Sequence, residues 1–145
     1  MINKENNTRI PELYEMVNEI DKAEGKSNRI KLIKEFSRYM CFQDWLRCMF
    51  DDRIQFLLPE GRPPYTPSGQ SYPTTWHKQH LELKYFVKGL GDNVLNQLKR
   101  EMKFIGILES IHPEDAVLVA DAMDKRNKTS IQKSEVEEAI PGLIS

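Results

Sequence analysis

Cysteine is scarce in this chain, and the two that occur exclude a common way of holding a small domain together. Cys41 and Cys48 lie seven residues apart in a segment whose pattern predicts a helix. At a rise of ~1.5 Å per residue they are about 10 Å apart along the axis, too far for a disulfide. We therefore expect both to be reduced core thiols in a domain that folds without covalent staples.

An excess of charge of one sign is also missing, as are long apolar runs. The formal net charge is −1, so bulk electrostatics does not favour tight nonspecific DNA binding, which needs clustered basic groups. No signal peptide and no apolar run of membrane length occur in the sequence. We expect no membrane partner and a cytoplasmic protein, in the host cytoplasm if it is viral, or a component of a virion.

Signatures of catalysis are lacking too. The sequence contains no Ser/His/Asp ordering, no phosphate-binding glycine loop and no dinucleotide fingerprint, so we expect no enzyme, no cofactor and no small-molecule substrate. His77 and His80 have the spacing that places two imidazoles on one helix face. Zinc needs three or four ligands, and no third is evident near them, so we predict no metal site.

What the sequence does contain is a series of helical patterns. Its 145 residues, 39% of them hydrophobic and 30% charged, suit one folded domain. Apolar residues at three- and four-residue spacing predict an all-α fold. We expect a single compact domain of about six or seven helices over residues 9–145, after a flexible N-terminus at residues 1–8.

Two of the predicted helices carry most of the expected packing. In the segment 42–50, the aromatic residues Phe42, Trp45 and Phe50 should dominate the core, because large rings bury the most surface per residue. The most regular pattern runs from residue 93 to 111, after Asp92 as its cap. Its predicted buried stripe comprises Val94, Leu95, Leu98, Met102, Ile105 and Leu108.

A proline-rich stretch interrupts the helices at about residues 59–75. Such a length without helical pattern indicates either a functional loop or a disordered one, and we expect an extended surface excursion. One interpretation is a passive linker between two helical halves. The other is a contact for a protein partner through Arg62, Tyr65 and Tyr72, since stiff backbone loses little entropy on binding.

A basic turn lies near the carboxyl end, at residues 124–130, Asp-Lys-Arg-Asn-Lys-Thr-Ser. Pro113 suits the first position of the preceding helix, and Thr129 or Ser130 could cap the following one, which runs to about Ala139. Amides, hydroxyls and ammonium groups at a helix start bind phosphate oxygens. The alternative is a solvated connection whose cations compensate the helix dipole.

The pattern around this turn, with Ala139-Ile-Pro-Gly-Leu-Ile144 after it, resembles the end of the N-terminal DNA-binding domain of ATP-dependent DNA ligases of tailed bacteriophages. Residues 10–40 are similar to the opening helical pair of that domain, and the likeness covers residues 90–145 as well. The resemblance implies an all-helical fold that holds duplex DNA by its backbone. By position, it implies contacts from Lys125, Arg126, Lys128, Thr129, Ser130 and Lys133.

One departure limits what the resemblance implies. The nucleotidyl-transfer step of ligases needs a lysine in a Lys-x-Asp-Gly context, and this sequence contains no such tetrapeptide. Two hypotheses follow. The first is a non-catalytic DNA-binding accessory protein, similar to an isolated ligase DNA-binding domain. The second is a phage structural or protein-interaction component that keeps the helical scaffold without binding DNA and contacts a phage or host protein.

Overall fold

The computed structural model describes residues 9–145, so the expected flexible N-terminus at residues 1–8 lies outside the described part. Within that part the chain forms seven α-helices, one 3₁₀ helix and no strand, apart from an isolated bridge between Phe56 and Val87. The predicted all-α class is confirmed. The α-helices are α1 (Leu13–Lys22), α2 (Gly25–Phe36), α3 (Met40–Phe50), α4 (Trp76–Gln79), α5 (Gln97–Ser110), α6 (Pro113–Met123) and α7 (Lys133–Ala139), and the 3₁₀ helix is His80–Tyr85.

One core joins these helices. α3 and α5 both pack on α6, α2 packs on α7, and α1 lies against α2 and α6. Phe42 and Trp45 are fully buried, as the sequence predicts, whereas Phe50 is only half-buried. Trp76 and Phe86 are also fully buried, and the indole N–H of Trp76 donates to the carbonyl of Cys41 at 2.9 Å. The short α4 is therefore an integral part of the core.

The proline-rich loop is fastened to the helices along its length. The amide of Gly61 donates to Asp124, the amide of Thr66 to Glu109 and the hydroxyl of Ser68 to the carbonyl of Ile111, at 2.9, 2.7 and 2.6 Å. The amide of Thr74 donates to the carbonyl of Ser110 at 3.1 Å. The loop is thus a strap across the junction of α5 and α6.

Helix α5 differs from its prediction at its start and in the face it buries. It begins at Gln97, where Asn96 is the N-cap and accepts the amide of Lys99 at 2.8 Å. The predicted cap, Asp92, instead accepts the amide of Gly89. Leu98 and Met102 of the predicted stripe are exposed, and the buried side chains are those of Arg100, Phe104, Ile107 and Leu108.

The contacts of Arg100 explain why α5 buries this face and exposes the face with Leu98 and Met102. Its side chain is buried, and its guanidinium donates to the carbonyls of Tyr85, Gly91 and Leu95 at 3.1, 3.0 and 2.9 Å. A buried cation is tolerated when its donors are satisfied, and these loop carbonyls satisfy them. Gly91 is needed at this junction, since a Cβ there would lie 2.4 Å from the carbonyl oxygen of Tyr85.

The structure also bears on the cysteines, on metal binding and on membrane spanning. Cys41 and Cys48 are free and buried, as predicted, and burial raises the pKa of each thiol to about 12, so both stay protonated. Across residues 9–145, no three side chains of the metal-binding types come together as a ligand set. No helix in that range combines the length and the apolar character needed to cross a membrane.

Candidate functional site

The basic turn begins where α6 ends, and its backbone is tightly closed. Lys125 adopts a left-handed conformation with a φ of 55°. The amide of Lys125 then donates to the carbonyl of Ala122 at 3.0 Å, and that of Arg126 to the carbonyl of Asp121 at 2.8 Å. This pair of bonds is the usual way in which a left-handed residue terminates a helix. The first amides of the turn are therefore consumed by α6 itself.

The ammonium group of Lys125 points toward the end of α3, whereas a phosphate contact requires it to point into solvent. Although the residue stays solvent-exposed as a whole, its Nζ donates to the carbonyls of Cys48 and Asp51 at 2.8 and 3.0 Å. These carbonyls belong to the C-terminal end of α3, where a cation is favoured. Desolvation lowers the pKa of Lys125. The side chain is a structural link between α6 and α3.

The hydroxyls and amides of the turn are also engaged within the chain. Asn127 Oδ1 accepts both the amide and the hydroxyl of Thr129, at 2.9 and 2.7 Å. Asp21 of α1 accepts the amide and the hydroxyl of Ser130 at 2.9 and 2.5 Å. The prediction that Thr129 or Ser130 caps α7 is wrong, because the N-cap is Gln132, in a capping box with Glu135.

The remaining cations of the turn, and Lys133 at the start of α7, each face a carboxylate. Arg126 pairs with Asp124 at 2.7 Å, Lys128 approaches Asp121 at 3.4 Å, and Lys133 pairs with Asp52 at 3.1 Å. Arg126 and Lys128 are nevertheless 69% and 64% exposed at their side chains. The six residues implied by the ligase resemblance thus diverge, with Lys125 and Lys133 directed toward the end of α3 and its following loop.

Arg62 of the loop joins the two most exposed cations of the turn. It pairs with Asp121 at 3.1 Å, so that Asp121 is shared between Arg62 and Lys128. The structure therefore places part of the predicted partner-binding loop beside part of the predicted phosphate site. We call Arg62, Arg126 and Lys128 the basic corner.

The basic corner borders a cleft of about 290 Å³ between α1, α3 and α6. Its floor is apolar and its rim alternates in charge, because Asp21 and Asp121 stand among Arg126 and Lys128. Such a rim does not form a continuous positive bed for a nucleic-acid backbone. The apolar residues lining the cleft include Val17, Trp45, Met49 and Leu118.

The two tyrosines predicted to contact a partner, Tyr65 and Tyr72, pack against other residues of the domain. Tyr65 is half-buried against the core, and burial raises its pKa. Tyr72 packs edge-on against the ring of His112, with centroids 5.3 Å apart, and His112 also stacks on Tyr14 at 4.2 Å. These rings fix the strap to α1 and α6, so little of their surface is free for a partner.

A buried pair of carboxyl groups lies where α1 meets α6. Asp115 accepts the amide of Tyr14 at 2.7 Å, while Glu12 takes part in the capping box of α1. Asp115 Oδ2 and Glu12 Oε2 are buried without a hydrogen-bonding partner in the described part of the chain. Burial, together with the neighbouring Glu12, raises the pKa of Asp115 to about 8. One shared proton would satisfy both oxygens.

Most of the large apolar side chains that are exposed in the described part lie elsewhere, on α5 and the segment before it. Five of the eight large apolar side chains that are exposed in the described part occur between residues 81 and 102. Leu98 and Met102, 68% and 62% exposed, are one helical turn apart and thus share one face. Half-buried Ile105 and exposed Gly106 continue that face, and we call these four residues the α5 face.

The sequence pattern detected the α5 face but assigned it to the core. Leu98, Met102 and Ile105 have a helical spacing, and so do the buried residues Phe104, Ile107 and Leu108. A helix that is apolar on two sides has more than one face to bury. Since Arg100 fixes the orientation of α5, the face with Leu98 and Met102 is left in solvent.

Residues 9–145 thus form one all-helical domain that bears an exposed apolar helix face. The chain is a member of a family of unknown function, DUF6433, whose model matches residues 16–129. The match includes the α5 face and most of the basic turn, and it excludes the Pro-Gly-Leu-Ile ending. No curated protein matches the chain by sequence.

Proposed function

We propose that this protein is a non-catalytic protein-interaction module that binds an acidic amphipathic helix of a partner on the α5 face. The observation that carries the proposal is the exposure of Leu98 and Met102 on one side of α5. Adjacent apolar side chains in water have an unfavourable hydration free energy, which binding removes. The basic corner offers less, because its charges are already paired.

A helix is the partner element that suits this surface. In the described part the chain has no sheet whose edge a partner strand could extend, which removes strand addition as a mode of recognition. Two helices instead pack by fitting the side-chain ridges of one into the grooves of the other. Leu98 and Met102 form such a ridge, and Gly106 leaves a gap in it.

Gly106 supports close approach of a partner. A Cβ built at this position would meet nothing within 4 Å, so no contact inside the chain requires glycine there. Glycine in an exposed helix interior costs about 1 kcal/mol relative to alanine. A partner backbone packed over Gly106 would account for a residue that the isolated domain does not need.

The charge of the chain near the α5 face indicates which charge the partner helix should carry. From residue 76 to 103, leaving aside the buried Arg100, the chain has five lysines against three acids, Glu82, Asp92 and Glu101, in a protein whose formal net charge is −1. Lys99 and Lys103 flank the ridge of Leu98 and Met102 in sequence. A partner helix with acidic flanks would complement this local excess, which favours encounter and correct register.

Site-specific photocrosslinking in cells that naturally make the protein tests this proposal. We expect benzoylphenylalanine at position 102 to crosslink a protein, and mass spectrometry to map the attachment to an acidic amphipathic helix. The same probe at Glu138, exposed on α7, is the control and should give no such product. Equal products at both positions, a second copy of this chain, or no protein product at position 102 would refute the proposal.

A second proposal is contact with the backbone of duplex DNA at the basic corner. It is supported by the convergence of Arg62, Arg126 and Lys128, whose side chains are 42, 69 and 64% exposed. It includes the suggestion of a non-ligating relative of the ligase DNA-binding domain. The neutralising effect of Asp121 and Asp124 makes it the weaker of the two.

A mobility-shift titration on nicked duplex at two salt concentrations tests DNA binding. If the basic corner binds phosphates, the double variant Arg126→Ala/Lys128→Ala should weaken binding and reduce its salt dependence. Lys22→Ala/Lys31→Ala, at exposed positions of α1 and α2, removes the same amount of charge and is the control. No binding at low salt, or equal binding by the double variant and the parent chain, would eliminate DNA as a partner.

A further inference from the structure

A cavity of about 310 Å³ lies between the proline-rich strap and α5. Its walls are mainly apolar, with Leu58, Pro63 and Pro64 on the strap side and Phe104 and Ile105 on the helix side. The charged residues Glu60, Arg62 and Glu101 also line it. Nothing in the core fills this space, and neither the carboxyl pair nor the basic turn contributes to it.

Both walls of the cavity are held in place before any ligand arrives. The strap is fixed on either side of the two prolines, because the amides of Gly61 and Thr66 donate to Asp124 and Glu109. Each proline ring also restricts its own backbone. On the other side, Phe104 is buried and packs on Phe86 with ring centroids 5.6 Å apart. A preformed cavity loses little conformational entropy on binding.

The geometry points to this cavity as the pocket for a tryptophan side chain of the partner helix. The inference rests on the proposed function, because Ile105 belongs to both the cavity and the α5 face. Ligand pockets begin at roughly 300 Å³, so the space suits one large side chain. Buried aromatic anchors of this kind dominate the affinity of many interfaces.

The lining favours tryptophan over other apolar residues. Proline rings and the branched side chain of Ile105 present flat or convex apolar surface to the faces of a ring. The two carboxylates, Glu60 and Glu101, can accept a hydrogen bond from an indole N–H, which is a donor without charge. A leucine side chain has no donor to offer these carboxylates.

Titration of the full chain with N-acetyltryptophanamide, followed by methyl NMR, tests the pocket without any partner present. We expect saturable shifts at Ile105 and Leu58 with a Kd on the order of 1 mM, as suits a single side chain. N-acetylleucinamide should bind at least threefold more weakly. Because the probe is used alone, the result is independent of the crosslinking at Met102, and failure of either experiment can be told from failure of the other.

Two variants and a control complete the test. Ile105→Trp should fill the cavity and weaken binding at least tenfold, and Pro64→Ala, at an exposed position of the wall, should weaken it about threefold. Val117→Trp, on the exposed side of α6, should bind as the parent chain does. Circular dichroism establishes that each variant is folded. Absence of saturable shifts at Ile105, equal binding of the leucine amide, or full binding by both cavity variants would overturn the inference.

Discussion

The basic turn and the α5 face differ in how completely the chain satisfies its own side chains. In the turn, Lys125 reaches two carbonyls of α3, Ser130 reaches Asp21, and each remaining cation faces an acid. On α5, Leu98 and Met102 stand in solvent. The turn has many cations and hydroxyls of the kind that bind ligands, but in this chain they bond mainly to its own helices and loops.

This difference follows from the kinds of groups involved. A long cationic side chain can bend to find a carboxylate or a carbonyl, and water satisfies what remains of its charge. An apolar side chain on the outer face of a packed helix has no such freedom and no favourable interaction with water. Unsatisfied apolar surface is therefore better evidence of a missing partner than an unusual density of charge.

The largest expected effect concerns Asp115, a fully buried acid, and tests whether a charged form of this group would stabilise or destabilise the fold. The raised pKa of Asp115 means that the folded state binds more protons than the unfolded state between about pH 4 and pH 8. Stability should therefore fall as pH rises through this window, by at most about 1.4 kcal/mol per pH unit. Urea unfolding at pH 5, 7 and 9 measures the dependence.

Asp115→Asn is the matched variant for that measurement. An asparagine can still accept the amide of Tyr14 and can donate to Glu12, so the pair needs no shared proton. We expect the variant to lose most of this pH dependence and to exceed the parent chain in stability at pH 9. Parallel stability curves for the two proteins would show that the carboxyl pair is not protonated at neutral pH.

A smaller effect should come from the lysine that links α6 to α3. In Lys125→Met the carbonyls of Cys48 and Asp51 lose their donor, and we expect the free energy of unfolding to fall by about 1–2 kcal/mol. Lys128→Met removes an exposed charge of the same turn and should change it by less than about 0.5 kcal/mol. Equal losses would mean that the inward contacts of Lys125 contribute no more than a surface pair.

The substitution Gly106→Ala should have opposite effects on the stability of the domain and on its affinity for the partner helix. Since the added methyl group meets nothing in the chain, the variant should be more stable by up to about 1 kcal/mol in urea unfolding. The same methyl group should weaken binding of the crosslinked partner helix. A variant that gains stability and binds the partner with unchanged affinity would remove Gly106 from the interface.

The smallest effect is expected from removal of the most exposed charges of the turn. Arg126→Ala and Lys128→Ala should each change the free energy of unfolding by less than about 0.5 kcal/mol, because both pairs are largely solvent-exposed. Thermal melting of the single variants measures this. A loss above about 1 kcal/mol would show that the basic corner is part of the structural core.

The sequence predicts the helices better than their orientation. Pro113 followed by two acids marks the start of α6 correctly, and the alternation around Phe42 and Trp45 identifies a buried helix. These signals are local. The face that α5 buries depends on loop carbonyls that Arg100 reaches, and a surface-type residue gives no sign in sequence that it will be buried.

The candidate sites show the same limit. The sequence predicts that the hydroxyls and cations of the turn bind phosphate. In the structure Ser130 and Lys125 bond within the chain, and their acceptors, Asp21 and the carbonyl of Cys48, are distant in sequence. The apolar spacing of Leu98 and Met102 was visible, whereas its exposure depends on tertiary packing. Contacts between residues that are distant in sequence therefore decide which side chains remain free to bind a partner.

The most direct measurement of the central claim is calorimetric titration of the crosslinked partner segment, prepared as a peptide, into two double variants. Leu98→Lys/Met102→Lys should lose at least about 30-fold in affinity, which corresponds to about 2 kcal/mol at an interface hot spot. Arg126→Ala/Lys128→Ala should bind within about threefold of the parent chain. The reverse order, with the turn variant impaired and the α5 variant intact, would contradict the account.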